Sequence, residues 1–159
     1  MNRSTHAASH PKLYGLAAFL AVAGLADSIY LTVSHLTGED VTCLASSGCS
    51  EVLSSAYATI GNIPLGAFGA FGYFAAFSLA TLSAFGSRWA VVLFRVLVAG
   101  MLAMTLWLLF VQAFILHAFC DFCLLSAALT FSLSVIVTVG ILIERRSRMR
   151  ASEEPVVES

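Results

Sequence analysis

The chain has 159 residues, of which 59% are hydrophobic and only 11% are charged, and its formal net charge is -1. These proportions leave too few polar side chains to cover a water-soluble domain, so a soluble globular fold is excluded. A nearly neutral chain gives no reason to expect a nucleic-acid partner, and we expect the lipid bilayer to be its main surrounding medium.

Four apolar stretches are long enough to cross a bilayer, which takes roughly 20 mostly apolar residues. Because backbone polar groups in lipid must be satisfied within the chain, each stretch is predicted to be a helix. In chain order they run from Leu13 to Leu36, from Pro64 to Phe85, within Trp89 to Leu116 and within Phe119 to Ile143. The predicted fold class is an all-α membrane protein, a four-transmembrane-helix bundle.

The start of the chain also has features of a secretory signal peptide. Arg3 and Lys12 precede the apolar run, and Ala21-Val22-Ala23 resembles a cleavage site. The run continues to Leu31, which is longer than a signal core, so we expect the first span to be retained.

The first connection, residues 37–63, combines irregular chain with one amphipathic segment. From Ser50 to Ala58 the apolar side chains share one helical face, which predicts a short half-helix lying on the membrane surface like a lid. Pro64 suits the first turn of the second span. We therefore divide the chain into a tail of residues 1–12, a domain of residues 13–143 and a tail of residues 144–159, with Ala151 to Ser159 expected to be disordered.

The basic residues predict the orientation, because lysine and arginine stay in cytoplasmic segments. The loop 37–63 and the turn around His117 contain neither. All of them lie before the first span, between the second and third spans, or after the fourth: Arg3, Lys12, Arg88, Arg95, Arg145, Arg146, Arg148 and Arg150. Both termini are therefore expected in the cytoplasm, with the loop 37–63 outside.

This orientation places the four cysteines on the outer, oxidising face. Cys43 and Cys49 lie in the loop, whereas Cys120 and Cys123 form a C-x-x-C motif at the start of the fourth span. Three residues are nearly one helical turn, so both sulfurs of the motif share a face, and a helix N-terminus favours the thiolate at Cys120. One pair on a flexible loop and one on a helix end suit the passing of a disulfide between them.

The cysteines belong to a longer pattern. In order it consists of Leu31-Thr32, Cys43-x5-Cys49, Ser54-Ser55, Asn62-Ile63-Pro64-Leu65-Gly66 and Phe119-Cys120-x-x-Cys123. This pattern resembles the vitamin K epoxide reductase family, in its bacterial thiol-oxidising branch. The resemblance covers nearly the whole chain, from about Leu13 to Ile143.

The resemblance implies a four-helix bundle around a quinone, either ubiquinone or menaquinone. It implies that Cys43 exchanges disulfides with a periplasmic thioredoxin-fold protein. Cys49 would carry the electrons inward through a mixed disulfide with Cys120. Cys123 would lie nearest the quinone and reduce it.

The resemblance also assigns residues between the cysteine pairs. Ser55 and Asn62 match family positions near the quinone head group, where a hydroxyl and an amide can bond its oxygens. Many bacterial members continue into a fifth span and a fused thioredoxin domain, so for this chain we expect a separate redox partner. Some members have a tyrosine after the C-x-x-C motif, where this chain has Leu124-Leu125-Ser126-Ala127, which weakens the case for vitamin K epoxide as substrate.

The predicted function is that of a multi-pass enzyme of the bacterial inner membrane, a quinone-dependent thiol–disulfide oxidoreductase. It would pass electrons from a periplasmic disulfide-forming protein to a quinone. The reverse reaction, reduction of a quinone or quinone epoxide, is the first alternative, because exchange follows relative potentials. A metal-binding or transport protein and a structural protein with static disulfides are the others. We assign no metal ligand.

Several residues inside the spans have two interpretations. Asp27 lies within the first span, where a carboxylate is a functional candidate by default, unless it lies close enough to the outer interface to contact water. His35, at the outer end of that span, is expected to be solvated. Phe68, Phe71 and Phe114 are candidates to line a quinone pocket, although aromatic residues in spans mostly face lipid or neighbouring helices.

Overall fold

A computed structural model describes residues 11–38, 49–55, 59–60 and 63–153 of the chain. The long helices are α1 (Pro11–Thr37), α3 (Leu65–Ala84), α4 (Arg88–Val111), which a π-helical turn at Gln112–Leu116 extends, and α5 (Asp121–Glu153). The short helix α2 (Cys49–Ser54) and the strands β1 (Thr59–Ile60) and β2 (Ile63–Pro64) lie between α1 and α3. The two strands pair antiparallel, with Ile60 opposite Ile63.

Four helices of the described chain are long and apolar enough to cross a membrane: α1, α3, α4 with its π-helical turn, and α5. The predicted all-α class with four spans is therefore confirmed. The sequence predicts disorder from Ala151 to Ser159, but α5 continues through Ala151 and ends at Glu153. Glu144 and Arg148, one turn apart, form an ion pair of 2.8 Å that supports this extension, and basic residues near a helix C-terminus favour it further.

The first loop differs from its prediction in two details. The described half-helix begins at Cys49 and ends at Ser54, residues 56–58 lie outside the described residues, and Thr59 lies in β1. Ser55 ends the helix, because its hydroxyl donates a hydrogen bond of 2.7 Å to the carbonyl oxygen of Val52. Pro64 is extended (φ -62°, ψ 138°) and precedes α3 as its N-cap, since it is paired in β2.

Helices α1 and α3 make the closest packing in the bundle, and glycines permit it. A Cβ atom added at Gly24 would overlap the ring of Tyr73, and one at Gly66 would lie 2.8 Å from the Oγ1 of Thr32. Small residues let helix backbones approach in this way within a membrane. The contact brings α1 against the helix that follows the loop.

Tyr73 joins α3 to α5 at the centre of the bundle. Its side chain is 1% exposed, and its hydroxyl lies 2.8 Å from the carbonyl oxygen of Ser126 and 3.0 Å from the Oγ1 of Thr130. A buried phenol needs such partners, because an unpaired hydroxyl in an apolar interior is costly. The apolar side chains packed around it form the main core: Ala17, Ala21, Ala76, Ala80, Phe94, Val98, Leu133 and Ile136.

The charged and the cysteine-bearing ends of the bundle are opposite each other. At one end Arg95 of α4 donates to Glu144 of α5 at 2.7 Å, and the Tyr14 ring of α1 meets the Phe94 ring at 6.1 Å. At the other end the Tyr30 ring of α1 contacts Phe122, 5.1 Å away. The described helices therefore run alternately up and down between these two ends.

A glycine makes the tight turn between α3 and α4. Gly86 has a φ of +87°, its N–H donates to the carbonyl oxygen of Ser83 at 3.0 Å, and the N–H of Ser87 donates to that of Leu82 at 3.3 Å. This pair of bonds is the Schellman pattern, which satisfies the last carbonyl groups of a helix and needs a residue that tolerates positive φ. The two spans are consequently antiparallel neighbours.

Candidate active site

Cys120 is the N-cap of α5. Its carbonyl oxygen accepts the hydrogen bond from the N–H of Leu124 at 3.0 Å, while its sulfur accepts bonds from the backbone N–H groups of Phe122 and Cys123. A serine or aspartate oxygen normally fills this position at the start of a helix. Here a sulfur does so, and the positive end of the helix dipole favours its thiolate, as the sequence predicted.

The two sulfurs of the C-x-x-C motif interact directly. Both cysteines are free, and the Cys123 thiol hydrogen-bonds the Cys120 sulfur. This bond is the main reason why the pKa of Cys120 falls from an ordinary 9.0 to about 7, with burial and the negative charge of Asp27 acting in the opposite direction. The lowered pKa brings the ionisation of Cys120 close to neutral pH, which favours its thiolate.

Gln112 holds this pair from α4. Its Oε1 accepts a hydrogen bond of 3.4 Å from the N–H of Cys120, and its side chain also hydrogen-bonds Cys123. The side chain is 3% exposed and lies at the first position of the π-helical turn, which ends at His117 with a φ of 50°. Gln112 itself still has α-helical backbone angles (φ -63°, ψ -41°), and the π-helical turn that begins there is of a kind common at functional sites.

Cys49 meets the C-x-x-C motif in a second buried cluster. Cys49, Val52, Ala118 and Cys120 pack together there, and Cys123 lies against the group. Cys49 is 1% exposed and Cys120 is 0% exposed. Cys49 is bonded in a disulfide, and its partner is neither Cys120 nor Cys123, since both of these are free. Helix α2 thus brings a loop cysteine to the start of α5.

A cavity of about 130 Å³ adjoins the thiol pair. Cys123 forms part of its wall, whereas Cys120 lies in the buried cluster with Cys49. The remaining wall is apolar side chains interrupted by a few polar ones. The polar lining residues are Ser28, His35, Ser55, Thr105, Gln112 and Ser126.

This lining fits a quinone. A quinone has a flat apolar ring that carries carbonyl oxygens, and small-molecule sites are typically apolar concavities with a few placed polar groups. Ser28 and Thr105 contribute hydroxyls, and Gln112 contributes an amide. Cys123, which the sequence predicts to lie nearest the quinone, is in the same wall.

The other residues predicted from the sequence are distributed as follows. Ser55 lines the cavity, but its hydroxyl donates a hydrogen bond to the carbonyl oxygen of Val52. To donate to a quinone oxygen instead, the hydroxyl must first break this bond. His35 also lines the cavity and is not merely a solvated residue at the end of the span. Cys43 and Asn62 lie outside the described residues.

The three phenylalanines proposed for the cavity and the carboxyl group of Asp27 lie in different surroundings. Phe68, Phe71 and Phe114 are absent from the cavity wall and are exposed on the bundle surface, where lipid would cover them. Asp27 is 9% exposed and is therefore buried within the bundle. Gln112 was not identified from the sequence, although an amide near the end of an apolar span was a signal that could have identified it.

The family comparison agrees with this arrangement. The model of the vitamin K epoxide reductase family matches residues 16–138, well over half of the chain, and this range includes all four cysteines. Proteins of this family carry out membrane redox chemistry and are associated with quinones. The chain therefore belongs to the vitamin K epoxide reductase family.

Proposed function

We propose that this protein is a thiol oxidase of the bacterial inner membrane. Electrons enter from a separate periplasmic thioredoxin-fold protein that forms disulfides in other proteins. They pass through the Cys43–Cys49 pair to the Cys120–Cys123 pair and leave to ubiquinone or menaquinone.

The observation that carries this proposal is the continuity of the sulfur path. Cys49 and Cys120 share one buried cluster, and Cys123, which hydrogen-bonds Cys120, reaches the cavity wall. Disulfide exchange requires a thiolate next to a disulfide, and a cluster that excludes water protects the exchange. The path runs from the loop cysteine Cys49 to the cavity that Cys123 lines.

Each transfer is an exchange of sulfur bonds. A thiolate of the partner attacks the loop disulfide at Cys43 and releases Cys49 as thiolate. The partner's second thiolate then attacks this mixed disulfide, forms the partner's own disulfide and releases Cys43, so that the loop pair is reduced. The Cys49 thiolate attacks the Cys120–Cys123 disulfide at Cys120 and displaces the Cys123 thiolate. Cys43 then attacks Cys49, restores the loop disulfide and releases Cys120 as thiolate.

The described cysteines differ in their bonding. Cys49 is in a disulfide, whereas Cys120 and Cys123 are both reduced and hydrogen-bonded to each other. When bound, the quinone supplies the two-electron acceptor that returns this pair to its disulfide. Cys123 lies in the cavity wall, and Gln112 holds the pair toward it.

The arginine side chains and the cysteines lie at opposite ends of the bundle, which supports a cysteine site on the outer face. Arg95 and Arg148 lie at the end of the bundle opposite the cysteines, which is the cytoplasmic end by the positive-inside rule. The tails of residues 1–12 and 144–159 then extend from the cytoplasmic face. Residues 13–143 form the quinone-reducing domain, and the loop 37–63 faces the periplasm.

The direct test uses purified protein, a reduced thioredoxin-fold substrate and a soluble quinone. We expect stoichiometric loss of substrate thiols and appearance of hydroquinone, followed by its absorbance. Cys123→Ala should abolish hydroquinone formation. Cys43→Ala should no longer oxidise the protein substrate, while oxidation of a small dithiol continues.

The control is Ser132→Ala, on the exposed side of α5, where the hydroxyl donates a hydrogen bond of 2.8 Å to the carbonyl oxygen of Ala128 in its own helix. It should retain full activity. The relay is overturned by full activity in both cysteine variants, or by oxidation of the protein substrate without hydroquinone.

A further inference from the structure

Asp27 is a buried carboxyl group without a partner. It is 9% exposed, and neither of its oxygens has a hydrogen-bond partner among the described residues. Buried polar groups in proteins are nearly always paired, so an exception requires an explanation. In a membrane span, the default explanation is function.

Contacts on either side of Asp27 fix where it faces. Gly24, one turn earlier, touches Tyr73, whose hydroxyl reaches Ser126 of α5. Tyr30, one turn later, contacts Phe122 of the C-x-x-C motif. Residues three apart on a helix share a face, so Asp27 faces the part of α5 between residues 122 and 126, which contains Cys123.

The same position is close to the cavity. Ser28, the next residue, and Leu31, one turn later on the same face, both line it. The titratable groups whose electrostatics include Asp27 comprise Tyr73 on α3 and the pair Cys120 and Cys123 at the start of α5. The Tyr73 hydroxyl is held by Ser126 and Thr130, which leaves the thiol pair as the group that changes its protonation during the reaction.

We propose that Asp27 transfers a proton between the Cys120–Cys123 pair and the quinone in the cavity. This inference rests on the proposed function. As the bond between the two sulfurs forms, two electrons and two protons leave the dithiol, and the same numbers are needed to make hydroquinone. Asp27 accepts one of these protons from the thiol pair and releases it to a quinone oxygen, so that the carboxyl group ends in its starting state.

The first test needs no quinone. The thiolate absorbance of the reduced Cys120–Cys123 pair is titrated against pH in the wild type, in Asp27→Asn and in Glu144→Gln. Removing the negative charge of Asp27 should move the midpoint for Cys120 below the wild-type value of about 7. Glu144, at the opposite end of the bundle, should not move it. An unchanged midpoint in Asp27→Asn overturns the proposal.

The second test measures proton transfer. The prereduced protein is mixed rapidly with a soluble quinone, and hydroquinone formation is followed across pH. Asp27→Asn should slow this step about a hundredfold or more, the usual contribution of a positioned acid–base group. Asp27→Glu should recover part of the rate, and added formic acid should partly restore the rate of Asp27→Asn.

The outcomes separate this inference from the proposed function. If the wild type forms no hydroquinone, the proposed function fails. If the wild type forms hydroquinone and Asp27→Asn does so at the same rate, only the role of Asp27 fails. The exchange between a partner thiol and the loop disulfide does not involve Asp27 and should proceed normally in both proteins, which also shows that the variant is folded.

Discussion

The N–H of Cys120 donates a hydrogen bond of 3.4 Å to the Oε1 of Gln112. This contact ties the last turn before α5 to the π-helical extension of α4, and the Gln112 side chain hydrogen-bonds Cys123 as well. One amide therefore holds both members of the thiol pair.

Substitutions of Gln112 should separate these two contacts. Gln112→Ala leaves the buried N–H of Cys120 unpaired and should reduce the free energy of unfolding by about 1–3 kcal/mol. Gln112→Glu keeps an oxygen for Cys120 but removes the amide donor to Cys123. We expect Gln112→Glu to be more stable than Gln112→Ala. We also expect Gln112→Glu to reduce quinone more slowly than the wild type. Denaturation of the purified protein and hydroquinone formation would measure the two effects, and equal stability of the two variants would contradict this assignment.

The ionisation of Cys120 should depend on the donor at position 123. Removal of the donor in Cys123→Ala should raise the pKa of Cys120 from about 7 toward its ordinary value of 9.0. At neutral pH the thiolate would then be the minor form, and full ionisation would require alkaline pH. Because Cys120 is fully buried, thiolate absorbance is a better measurement than alkylation. Cys123→Ser is the matched control, since its hydroxyl can still donate and should keep the pKa of Cys120 lower than in the alanine variant.

The proximity of Cys49 and Cys120 predicts a trappable intermediate. In the double variant Cys43→Ala with Cys123→Ala, neither Cys49 nor Cys120 has the thiol that would resolve a mixed disulfide in the proposed relay. A mixed disulfide between Cys49 and Cys120 should therefore accumulate under mild oxidation. Mass spectrometry of peptides from the unreduced protein would identify it. The linkage should be absent when Cys120→Ala is added, and its absence from the double variant itself would argue against exchange between these two sulfurs.

The contact between Gly24 and Tyr73 predicts a large effect of a small substitution. A methyl group at Gly24 overlaps the Tyr73 ring, so Gly24→Ala should force α1 and α3 apart and destabilise the protein by about 1–3 kcal/mol. Gly100→Ala is the control, because nothing lies within 4 Å of a Cβ at that position. It should be neutral or slightly stabilising, since alanine is the better helix former. Thermal unfolding of both variants in the same detergent tests the difference.

The proposed orientation can be tested by labelling cysteines placed at opposite ends of the bundle. In a background lacking the native cysteines, His117→Cys should react with a membrane-impermeant maleimide in intact cells. Ser87→Cys, in the turn between α3 and α4, should react only after the inner membrane is permeabilised. The reverse pattern would place the thiol pair on the cytoplasmic side.

The spans and the clustering of cysteines could be predicted because they depend on simple quantities. Apolar length determines where Leu65–Ala84 begins and ends, and a helix pair joined by a short turn must return to the same end. Alternation of four helices then brings Cys49 and Cys120 to one end, whatever the details of packing. This arrangement could therefore be predicted from the sequence without knowledge of any tertiary contact.

Gln112 and Tyr73 could not be given their roles in this way. Tyr73 lies among Phe71, Phe74 and Phe77, and only the position of Ser126 across the bundle distinguishes it from its neighbours. The π-helical turn at Gln112 departs from the regular helical period on which face assignments rely. Both roles arise from contacts between spans, which local sequence patterns do not encode.

The sulfur of Cys120 caps the first turn of α5, so its redox state affects the backbone amides of that turn. In the reduced pair, the negatively charged sulfur of Cys120 accepts two amide hydrogens from the first turn. When that sulfur becomes part of a disulfide, its charge disappears and it becomes a poor acceptor, so the first turn loses its anchor. The beginning of α5 should consequently loosen with each turnover, and faster deuterium uptake at the amides of Phe122 and Cys123 in the oxidised protein would report the redox state of the site.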